Sequence, residues 1–363
     1  MKVALVHDWL TGMRGGERCL EAFLSIYPDA DIHTLIHVPG STSARIDERV
    51  RGTSWLQMLP KAGTIHRLLL PLYPSAARSI RLSGYDLVIS LSHAAAKNVE
   101  VPKGTRHICY CFTPMRYIWD QADQYFGPAR LGLWPIIKGL RSWDVRGAAG
   151  VTDFVAISRF IAARIRCYYQ RSSSIVYPPV NTSWIAPAAE GSCGEAFLYA
   201  GALVPYKRPD LIVEAANRLK LPLWVVGGGP MEAALRKQAG STVVVTGRCS
   251  DEELAEYYRR CRALILPGVE DFGMMPVECM AAGRPVIGRR FGGTADTIQV
   301  DEGRSTGLLI RGNRHSLTVD DIVESLTRFM LIEERFSVKA CKEQAARFSP
   351  EVFLQSWSSV AAG

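Results

Sequence analysis

The fold of this chain is indicated by a strand, a loop and a helix that follow one another in residues 262–288, RALILPGVEDFGMMPVECMAAGRPVIG. The apolar run 262–267 predicts a buried strand, and residues 268–275 predict a loop. Pro276 is expected at the first helical position, where proline is favoured, and Gly283 just past the end of the helix. A strand followed by a loop and a helix is the repeating unit of a parallel α/β sheet.

Two carboxylates, Glu270 in the loop and Glu278 in the expected first turn, flank this helix start. A first-turn carboxylate can accept both hydroxyls of a ribose, while the free amides of Gly273 to Met275 and the helix dipole favour a phosphate. The pattern therefore suits a sugar nucleotide. In the competing interpretation, Glu278 only complements the dipole of its own helix and Glu270 is solvated.

Apolar strand-like runs alternate with helical patterns along the whole chain. The runs are VALVH, DIHTLI, DLVISLS, HICYCF and DFVAIS in the first half, and FLYAG, PLWVVGG, TVVVTG, ALILP and PVIG in the second. This alternation predicts two doubly wound α/β domains with a cleft between them, and ligands in such sheets bind at the carboxyl ends of the strands. A length of 363 residues also favours two domains, with a boundary near Val180.

The composition, 48% hydrophobic and 21% charged, is that of a soluble globular protein. No apolar run approaches the roughly 18 residues of a membrane-spanning helix, and a strand pattern begins directly after Met1, so we expect a cytoplasmic protein. The nine cysteines are scattered, which favours buried reduced thiols over disulfides. Cys109 and Cys111 lie on one face of a predicted strand without a second pair to complete a zinc site.

The motifs above resemble those of a known enzyme family. EDFGMMPVECMAAGRPVIG resembles the two-glutamate signature of the retaining glycosyltransferases of the GT-B fold, glycosyltransferase family 4, and FLYAGALVPYKRPDLIVEA, VVGGGP and VVTGRCSDEELAEYY resemble its strands and nucleotide loops. MKVALVHDWLTGMRGGERCLEAF, SLSHAAAKNV and YCFTPMRYIWD resemble a bacterial O-antigen and polysaccharide subgroup that contains mannosyltransferases.

The resemblance implies a GT-B architecture of two Rossmann-like domains with a central cleft. Residues 1–180 are expected to form the acceptor-binding domain, with a helix at about 350–363 crossing back to it, and residues 181–349 the donor-binding domain. Glu270 is expected to hold the donor sugar, Glu278 the ribose, and Lys207 and Arg208 the diphosphate. The donor-binding residues implied are Gly15, Gly16, Lys207, Arg208, Gly247, Arg248, Phe272, Gly273, Met274, Met275 and Glu278.

The chain departs from the family pattern at two positions. Ala202 stands where the family has an arginine, which makes Arg208 the expected substitute at the phosphates. Phe112 stands where the subgroup has a histidine that touches the donor sugar, and phenylalanine cannot supply that hydrogen bond. His93 is the expected replacement near the reacting centre. Arg116, Lys97 and Phe112 are expected on the acceptor side.

We therefore expect a retaining hexosyltransferase, and most specifically transfer of mannose from GDP-mannose to a lipid-linked or polysaccharide-precursor acceptor such as a polyprenyl-diphosphate-linked saccharide. The catalytic residues expected are Glu270, His93 and Lys207, with no cofactor and no metal. A donor with uridine diphosphate, and a nucleotide-sugar-binding protein with weak or no transfer, remain alternatives. A dinucleotide-dependent oxidoreductase is disfavoured because neither VVGGGP nor TGMRGGE has the G-x-G-x-x-G spacing.

The excess of positive over negative charge lies entirely in the first half of the chain. Residues 1–180 carry 22 Lys and Arg against 13 Asp and Glu, whereas residues 181–363 carry 21 against 22. Two segments, 51–82 and 129–146, combine basic residues with Trp and Leu, which predicts peripheral contact with an anionic membrane on its cytoplasmic side. We expect no nucleic-acid partner, because no nucleic-acid motif is present. Asp29 and Asp31 form a D-x-D sequence that we expect in a helix-to-strand turn.

Overall fold

The computed structural model describes residues 1–127, 130–192, 194–301, 303–313 and 316–362. The chain divides into two units, one made of Met1–Pro179 with Leu354–Gly363 and the other of Val180–Phe353. Each unit is built on its own parallel sheet, which confirms the α/β class. Ala129, the first residue of the second basic segment, and Gly363, the end of the expected last helix, lie outside the described residues.

The sheet of unit 1 has seven strands in the described residues. They are β1 (Val3–Leu10), β2 (Asp31–His37), β3 (Val50–Thr53), β4 (Leu87–Ser92), β5 (Arg106–Cys111), β6 (Asp153–Ala156) and β7 (Ser174–Ile175). Their order is β3-β2-β1-β4-β5-β6-β7, so the chain reverses its direction of progress between β1 and β4. All residues of β1 and β4 are buried, as expected for central strands of a parallel sheet with both faces covered.

The sheet of unit 2 has six strands in the described part of the chain. They are β8 (Ala196–Ala200), β9 (Leu223–Val226), β10 (Val243–Gly247), β11 (Cys261–Leu266), β12 (Val286–Arg289) and β13 (Gly307–Ile310). Their order is β10-β9-β8-β11-β12-β13, which places the reversal between β8 and β11. A crevice forms outside the carboxyl ends of the two strands at such a reversal. The loops that follow β8 and β11 carry Lys207 and Glu270.

Helices connect the strands in both units. They are α1 (Gly15–Ile26), α2 (Ala44–Asp47), α3 (Ala62–Ile65), α4 (Tyr73–Ser79), α5 (Ala122–Phe126), α6 (Arg130–Ala149), α7 (Arg159–Tyr169), α8 (Pro209–Leu219), α9 (Glu232–Gln238), α10 (Asp251–Arg260), α11 (Met274–Ala281), α12 (Thr294–Thr297), α13 (Val319–Ile332), α14 (Val338–Ala346) and α15 (Pro350–Ala362). Within the described residues, no helix combines the length and hydrophobicity needed to cross a membrane.

The last helix, α15, ends in unit 1. The Trp357 ring meets the Phe23 ring edge-on at 4.5 Å, and its indole N–H donates to the Tyr27 hydroxyl at 3.1 Å. Arg106 of β5 donates to the carbonyl oxygens of Val360 and Ala361 at 3.2 and 2.9 Å. Residues from both ends of the chain therefore share the core of unit 1.

The helix that carries Glu278 ends as expected but begins earlier than expected. Gly283 has a φ of 81°, its N–H donates to Met280 at 2.9 Å, and the Arg284 N–H donates to Cys279 at 3.1 Å. These two bonds form a Schellman motif, which confirms the predicted stop. The predicted start is wrong: α11 begins at Met274, so Pro276 is its third residue. Proline fits there equally well, since no N–H in the first turn has an intrahelical partner.

Candidate active site

Lys207 and Glu270 face each other at the carboxyl edge of the unit 2 sheet. The Lys207 Nζ lies 2.9 Å from Glu270 Oε1, and each side chain is less than one-fifth exposed. The loops approach closely because Gly268 has no side chain: a Cβ there would lie 2.8 Å from the Lys207 Cα. A cation and a carboxylate thus stand together where the chain reversal opens a crevice, as contacts to a phosphate and to sugar hydroxyls require.

The loop after β12 holds the backbone of Glu270 in place. The Gly293 N–H donates to the Glu270 carbonyl oxygen at 2.7 Å. Gly292 has a φ of 115°, and a Cβ there would lie 2.6 Å from the same oxygen. Only glycine fits at Gly292, since both its conformation and this contact exclude a side chain.

The guanidinium of Arg208, the expected second phosphate ligand, already binds a carboxylate. Its guanidinium binds Asp210 with both Nε and Nη2, at 3.0 and 2.8 Å to the two carboxylate oxygens. Its φ of 54° is left-handed, and it precedes the first residue of α8. A phosphate would have to displace Asp210, so Arg208 stays a prediction with weaker geometric support than Lys207.

Glu278 lies in the second turn of α11, so its expected place in the first turn is wrong. Its side chain is 5% exposed, and its Oε2 accepts a hydrogen bond from the Tyr258 hydroxyl at 2.9 Å. Burial, together with the Glu278 charge, raises the pKa of Tyr258 well above its ordinary value, so the hydroxyl remains a donor. This hydrogen bond holds the Glu278 carboxylate in place, and its contact with a ribose stays a prediction.

The start of α11 offers backbone donors beside this pair. The N–H groups of Met274 and Met275 open the helix, where no carbonyl within the helix accepts them. Gly273 caps the helix with a φ of 92°, and Phe272 is buried against Phe348, with ring centroids 5.4 Å apart. These contacts fix the direction of the first turn. The arrangement is the ordinary one for anion binding at a helix N-terminus.

Gly247 and Arg248, the expected base-side residues, follow β10 at the same edge of the sheet. The Gly227 N–H donates to the Gly247 carbonyl oxygen at 2.7 Å, which joins the loops after β9 and β10. Arg248 lies over Gly228, where a Cβ would come within 2.8 Å of the Arg248 Nε. The two loops are thus joined at this edge of the sheet, and contact of Gly247 and Arg248 with a donor nucleotide stays a prediction.

In unit 1, the expected glycines open α1 directly above two aromatic rings. Gly15 and Gly16 are the first two residues of α1. A Cβ on Gly16 would lie 3.1 Å from Nε2 of His7 and 3.5 Å from the Phe112 ring. Burial lowers the pKa of His7, which keeps its ring neutral near neutral pH. A side chain at Gly16 would therefore crowd these rings, and the role of Gly16 in ligand binding stays a prediction.

His93 is held by a buried aspartate that the sequence analysis missed. Its Nδ1 lies 2.9 Å from Oδ2 of Asp8, a residue of β1 with no exposed surface. Asp8 also accepts four consecutive backbone N–H groups, those of His93, Ala94, Ala95 and Ala96, at 2.6, 3.0, 2.5 and 2.7 Å. A charged residue inside the apolar run VALVHDWL was the available signal.

Lys97 does not serve the acceptor side, which corrects the expectation from sequence. It is 2% exposed, and its Nζ donates to Oδ1 of Asp144 at 2.6 Å and to the Asn98 side-chain oxygen. The ammonium also lies 4.6 Å from the Tyr169 ring centroid. A lysine with these partners cross-links α6 and α7 to the segment after β4. Phe112 and Arg116 are half-buried, and their expected contact with the acceptor stays a prediction.

The cysteines and the D-x-D sequence show no metal-binding arrangement. Cys109 and Cys111 are fully buried on β5, and the eight cysteines that the structure describes are free thiols. Asp29 lies in the turn between α1 and β2, as predicted, and Asp31 accepts a hydrogen bond from Tyr85 at 2.8 Å. Over the described residues, no three His, Cys, Asp or Glu side chains are grouped to hold a metal ion. Metal independence of the reaction stays a prediction.

Comparison with known proteins agrees with this geometry. Residues 184–347 match the sequence profile of the family described as Glycosyl transferases group 1. This chain contains a glycosyl transferases group 1 domain. The domain lies within unit 2 and includes Lys207, Glu270 and Glu278.

Three relatives come from different bacteria. O-antigen chain mannosyltransferase C of Escherichia coli is 33% identical over 35% of this chain and 36% of its own length. A D-inositol 3-phosphate glycosyltransferase of Streptomyces bingchenggensis is 30% identical over 39% and 37%. A GDP-mannose-dependent phosphatidylinositol monomannoside mannosyltransferase of Mycobacterium tuberculosis is 25% identical over 56% and 58%. The chain thus matches between about a third and three-fifths of these relatives' length.

A solved structure resembles the whole chain in fold. The Anabaena protein HepE, solved in complex with UDP, superposes with a TM-score of 0.70 at 14% identity, covering 100% of both chains. At that identity the likeness concerns the fold alone. The protein has the GT-B glycosyltransferase fold, as the sequence motifs imply.

Proposed function

We propose that this protein is a retaining glycosyltransferase that moves a hexose, specifically mannose from GDP-mannose, to a lipid-linked or polysaccharide-precursor acceptor. The observation that carries the proposal is the Lys207–Glu270 pair at the carboxyl edge of the unit 2 sheet. It lies in the loops that follow β8 and β11, the two strands at the chain reversal, and Glu278 belongs to the helix that follows the second of these loops. Unit 2 would bind the donor, and unit 1 the acceptor.

The proposed mechanism assigns one task to each group. Lys207 and the first amides of α11 stabilise the charge that grows on the departing diphosphate. Glu270 holds hydroxyls of the donor sugar, and Glu278 holds the ribose. The acceptor hydroxyl attacks the anomeric carbon on the face that the diphosphate leaves, and its proton passes to that diphosphate. This route needs no divalent metal and no cofactor.

The choice of mannose rests on the names of relatives. Two of the relatives above are named as mannosyltransferases, and one of these as GDP-mannose-dependent. The structural likeness to a UDP complex supports the alternative of a UDP-sugar donor. A protein that binds the donor but transfers poorly is the alternative from another functional class, and the departures at Ala202 and Phe112 favour it.

Transfer of a labelled sugar tests the proposal. We expect the purified protein to move mannose from GDP-mannose to a bacterial lipid extract with retention of the anomeric configuration, and a chelator to leave the rate unchanged. The same assay with UDP-sugars is the control for the donor. Full loss of transfer with the chelator, restored by magnesium or manganese, would contradict the metal-independent mechanism. Donor binding with neither transfer nor donor hydrolysis would favour the binding protein.

We also propose that unit 1 lies on the inner face of the cytoplasmic membrane. Met58 and Leu68 are 79% and 78% exposed, and Arg67 beside Leu68 is exposed as well. Large apolar side chains among basic residues on a surface are typical of contact with anionic lipid. A lipid-linked acceptor would then meet the enzyme at the membrane.

Vesicle cosedimentation tests this contact. We expect the protein to pellet with acidic vesicles and to leave them as salt rises, because exposed charges are screened over about 10 Å at 0.1 M salt. Replacing Arg67, Arg78 and Arg81 together by glutamine should weaken binding by roughly 3 kcal/mol, about 1 kcal/mol per residue. The matched control is the exposed unit 2 set Lys237, Arg328 and Lys342, changed in the same way. Equal binding to neutral and acidic vesicles would rule out the electrostatic account.

A further inference from the structure

The negative charge of the buried Asp8 carboxylate is surrounded by hydrogen-bond donors. Five donors meet its two oxygens: four consecutive backbone N–H groups of the turn after β4 and the Nδ1 of His93. Burial raises the pKa of Asp8, but the charge and hydrogen bonds of His93 outweigh it, and the pKa lies well below its ordinary value. Asp8 is therefore a permanent anion at physiological pH.

This anion decides which nitrogen of His93 carries the proton. A carboxylate can only accept, so the neutral ring must place its hydrogen on Nδ1 and its lone pair on Nε2. The ring orientation is fixed as well, because the Trp9 ring meets it edge-on at 4.5 Å between centroids. In the described part of the chain, the His93 ring makes no other hydrogen bond, and 26% of the side chain is exposed.

His93 lies at the carboxyl edge of the unit 1 sheet, where ligands of such sheets bind. His93 directly follows β4, whose carboxyl end adjoins that of β1 at the reversal of the unit 1 sheet. The ring centroid lies 6.5 Å from that of Phe112 and 6.0 Å from that of His7. Phe112 offers no hydrogen bond, and the Nε2 of His7 is buried. Of these three rings, His93 alone can present an acceptor to a ligand.

We propose that Asp8 is a positioning residue that holds His93 in the Nδ1–H tautomer, so that Nε2 accepts a hydrogen bond from a substrate hydroxyl. This inference rests on the proposed glycosyltransferase function, whose substrates are rich in such donors. Asp8 does not touch the substrate. Its role is to place the hydrogen of the neutral ring on Nδ1 rather than Nε2 and to hold the ring in one orientation.

Nitrogen-15 NMR of the labelled wild-type protein tests the tautomer without any substrate. We expect the shifts of His93 to report a protonated Nδ1 and an unprotonated Nε2. In Asp8→Asn, the amide NH2 can face the ring, and we expect the tautomer to invert in the fraction that folds. A proton on Nε2 in the neutral wild-type ring would overturn the proposal, whether or not Asp8→Asn folds.

Kinetics of matched His93 variants identify the nitrogen that functions. His93→Asn keeps an amide near the Nδ1 position and its bond to Asp8, whereas His93→Gln carries a carbonyl oxygen to the Nε2 position. We expect His93→Asn and His93→Ala to lower turnover about 10²-fold, the usual loss for one polar contact in a transition state, and His93→Gln to lose less. A rise in the donor KM places the hydroxyl on the donor, and a rise in the acceptor KM on the acceptor.

A double variant separates positioning from general structural support. If Asp8 acts through His93, Asp8→Asn combined with His93→Ala should be no slower than His93→Ala alone, because groups that act as a unit are not additive. Losses that multiply, or wild-type turnover in His93→Asn, would overturn the proposal. A wild-type protein without transfer activity would count against the proposed function, while the NMR result would still decide the tautomer.

Discussion

Lys207→Met is expected to lower turnover about 10²- to 10³-fold, which is the usual loss when one group that stabilises a developing charge is removed. The Lys207 Nζ lies 2.9 Å from Glu270 and is the cation best placed to meet a diphosphate leaving group. Methionine keeps most of the length and apolar surface of the side chain. The loss should therefore report the charge rather than a packing defect, and it should appear in a rate assay with saturating donor.

Arg208→Met is the matched control for Lys207→Met. Arg208 is the next residue, but two nitrogens of its guanidinium donate to the two carboxylate oxygens of Asp210. We expect a loss of less than about tenfold, since a bound phosphate would have to compete with a carboxylate already in contact. A reversed order, with Arg208→Met slow and Lys207→Met within twofold of wild type, would transfer the role of phosphate ligand to Arg208.

Glu278→Ala is expected to weaken the binding of free nucleoside diphosphate by roughly 10- to 100-fold, because a hydrogen bond to a charged group contributes about 1.5–3 kcal/mol. It should also destabilise the fold by about 1–3 kcal/mol, since the buried Tyr258 hydroxyl loses its acceptor. Calorimetric titration and thermal unfolding measure the two effects separately.

Two further variants separate these effects. Tyr258→Phe removes the same hydrogen bond but leaves the Glu278 carboxylate in place, so we expect nucleotide affinity within about twofold of wild type. Glu270→Ala should spare the free nucleoside diphosphate and lower turnover, since its proposed partner is the sugar. Identical responses of the Glu270 and Glu278 variants to nucleoside diphosphate would contradict the division of roles.

The long apolar strands could be predicted from sequence because both faces of each sheet are covered. β1 and β4 are buried along their whole length, and apolar residues are the majority in their runs VALVH and DLVISLS. β3 and β7 were not predicted. They have four and two residues, and none of them is fully buried, so they lack the apolar pattern that a prediction needs.

The first residue of α11 could not be predicted from sequence, because a start at Met274 and a start at Pro276 both place the proline in the first turn. Proline is allowed at any position of the first turn, so Pro276 marks the turn without fixing its first residue. The structure starts the helix at Met274, which moves Glu278 into the second turn. The role proposed for Glu278 stays a prediction after this shift, because α11 still follows the loop that carries Glu270.

Lys97 and Asp8 show why charged residues near a predicted site were harder to interpret. Lys97 belongs to the motif SLSHAAAKNV and Asp8 to the strand run VALVHDWL, and both residues are buried. The function of each depends on a partner distant in sequence: Asp144 lies 47 positions from Lys97, and His93 lies 85 positions from Asp8. Local pattern carries no information about such pairs, so Lys97 was assigned a role that it does not have, and Asp8 was assigned none.

The central claim is that unit 2 binds a nucleotide sugar through Lys207, Glu270 and Glu278. Thermal unfolding of the wild-type protein with a panel of nucleotide sugars and free nucleoside diphosphates tests it most directly. A ligand at 100 times its dissociation constant stabilises the native state by roughly 2.7 kcal/mol, which is easily measured. We expect GDP-mannose and GDP to raise the unfolding temperature, and both shifts to be smaller in Glu278→Ala at the same ligand concentrations, because its affinity is expected to be roughly 10- to 100-fold lower. No shift with any member of the panel would contradict the account.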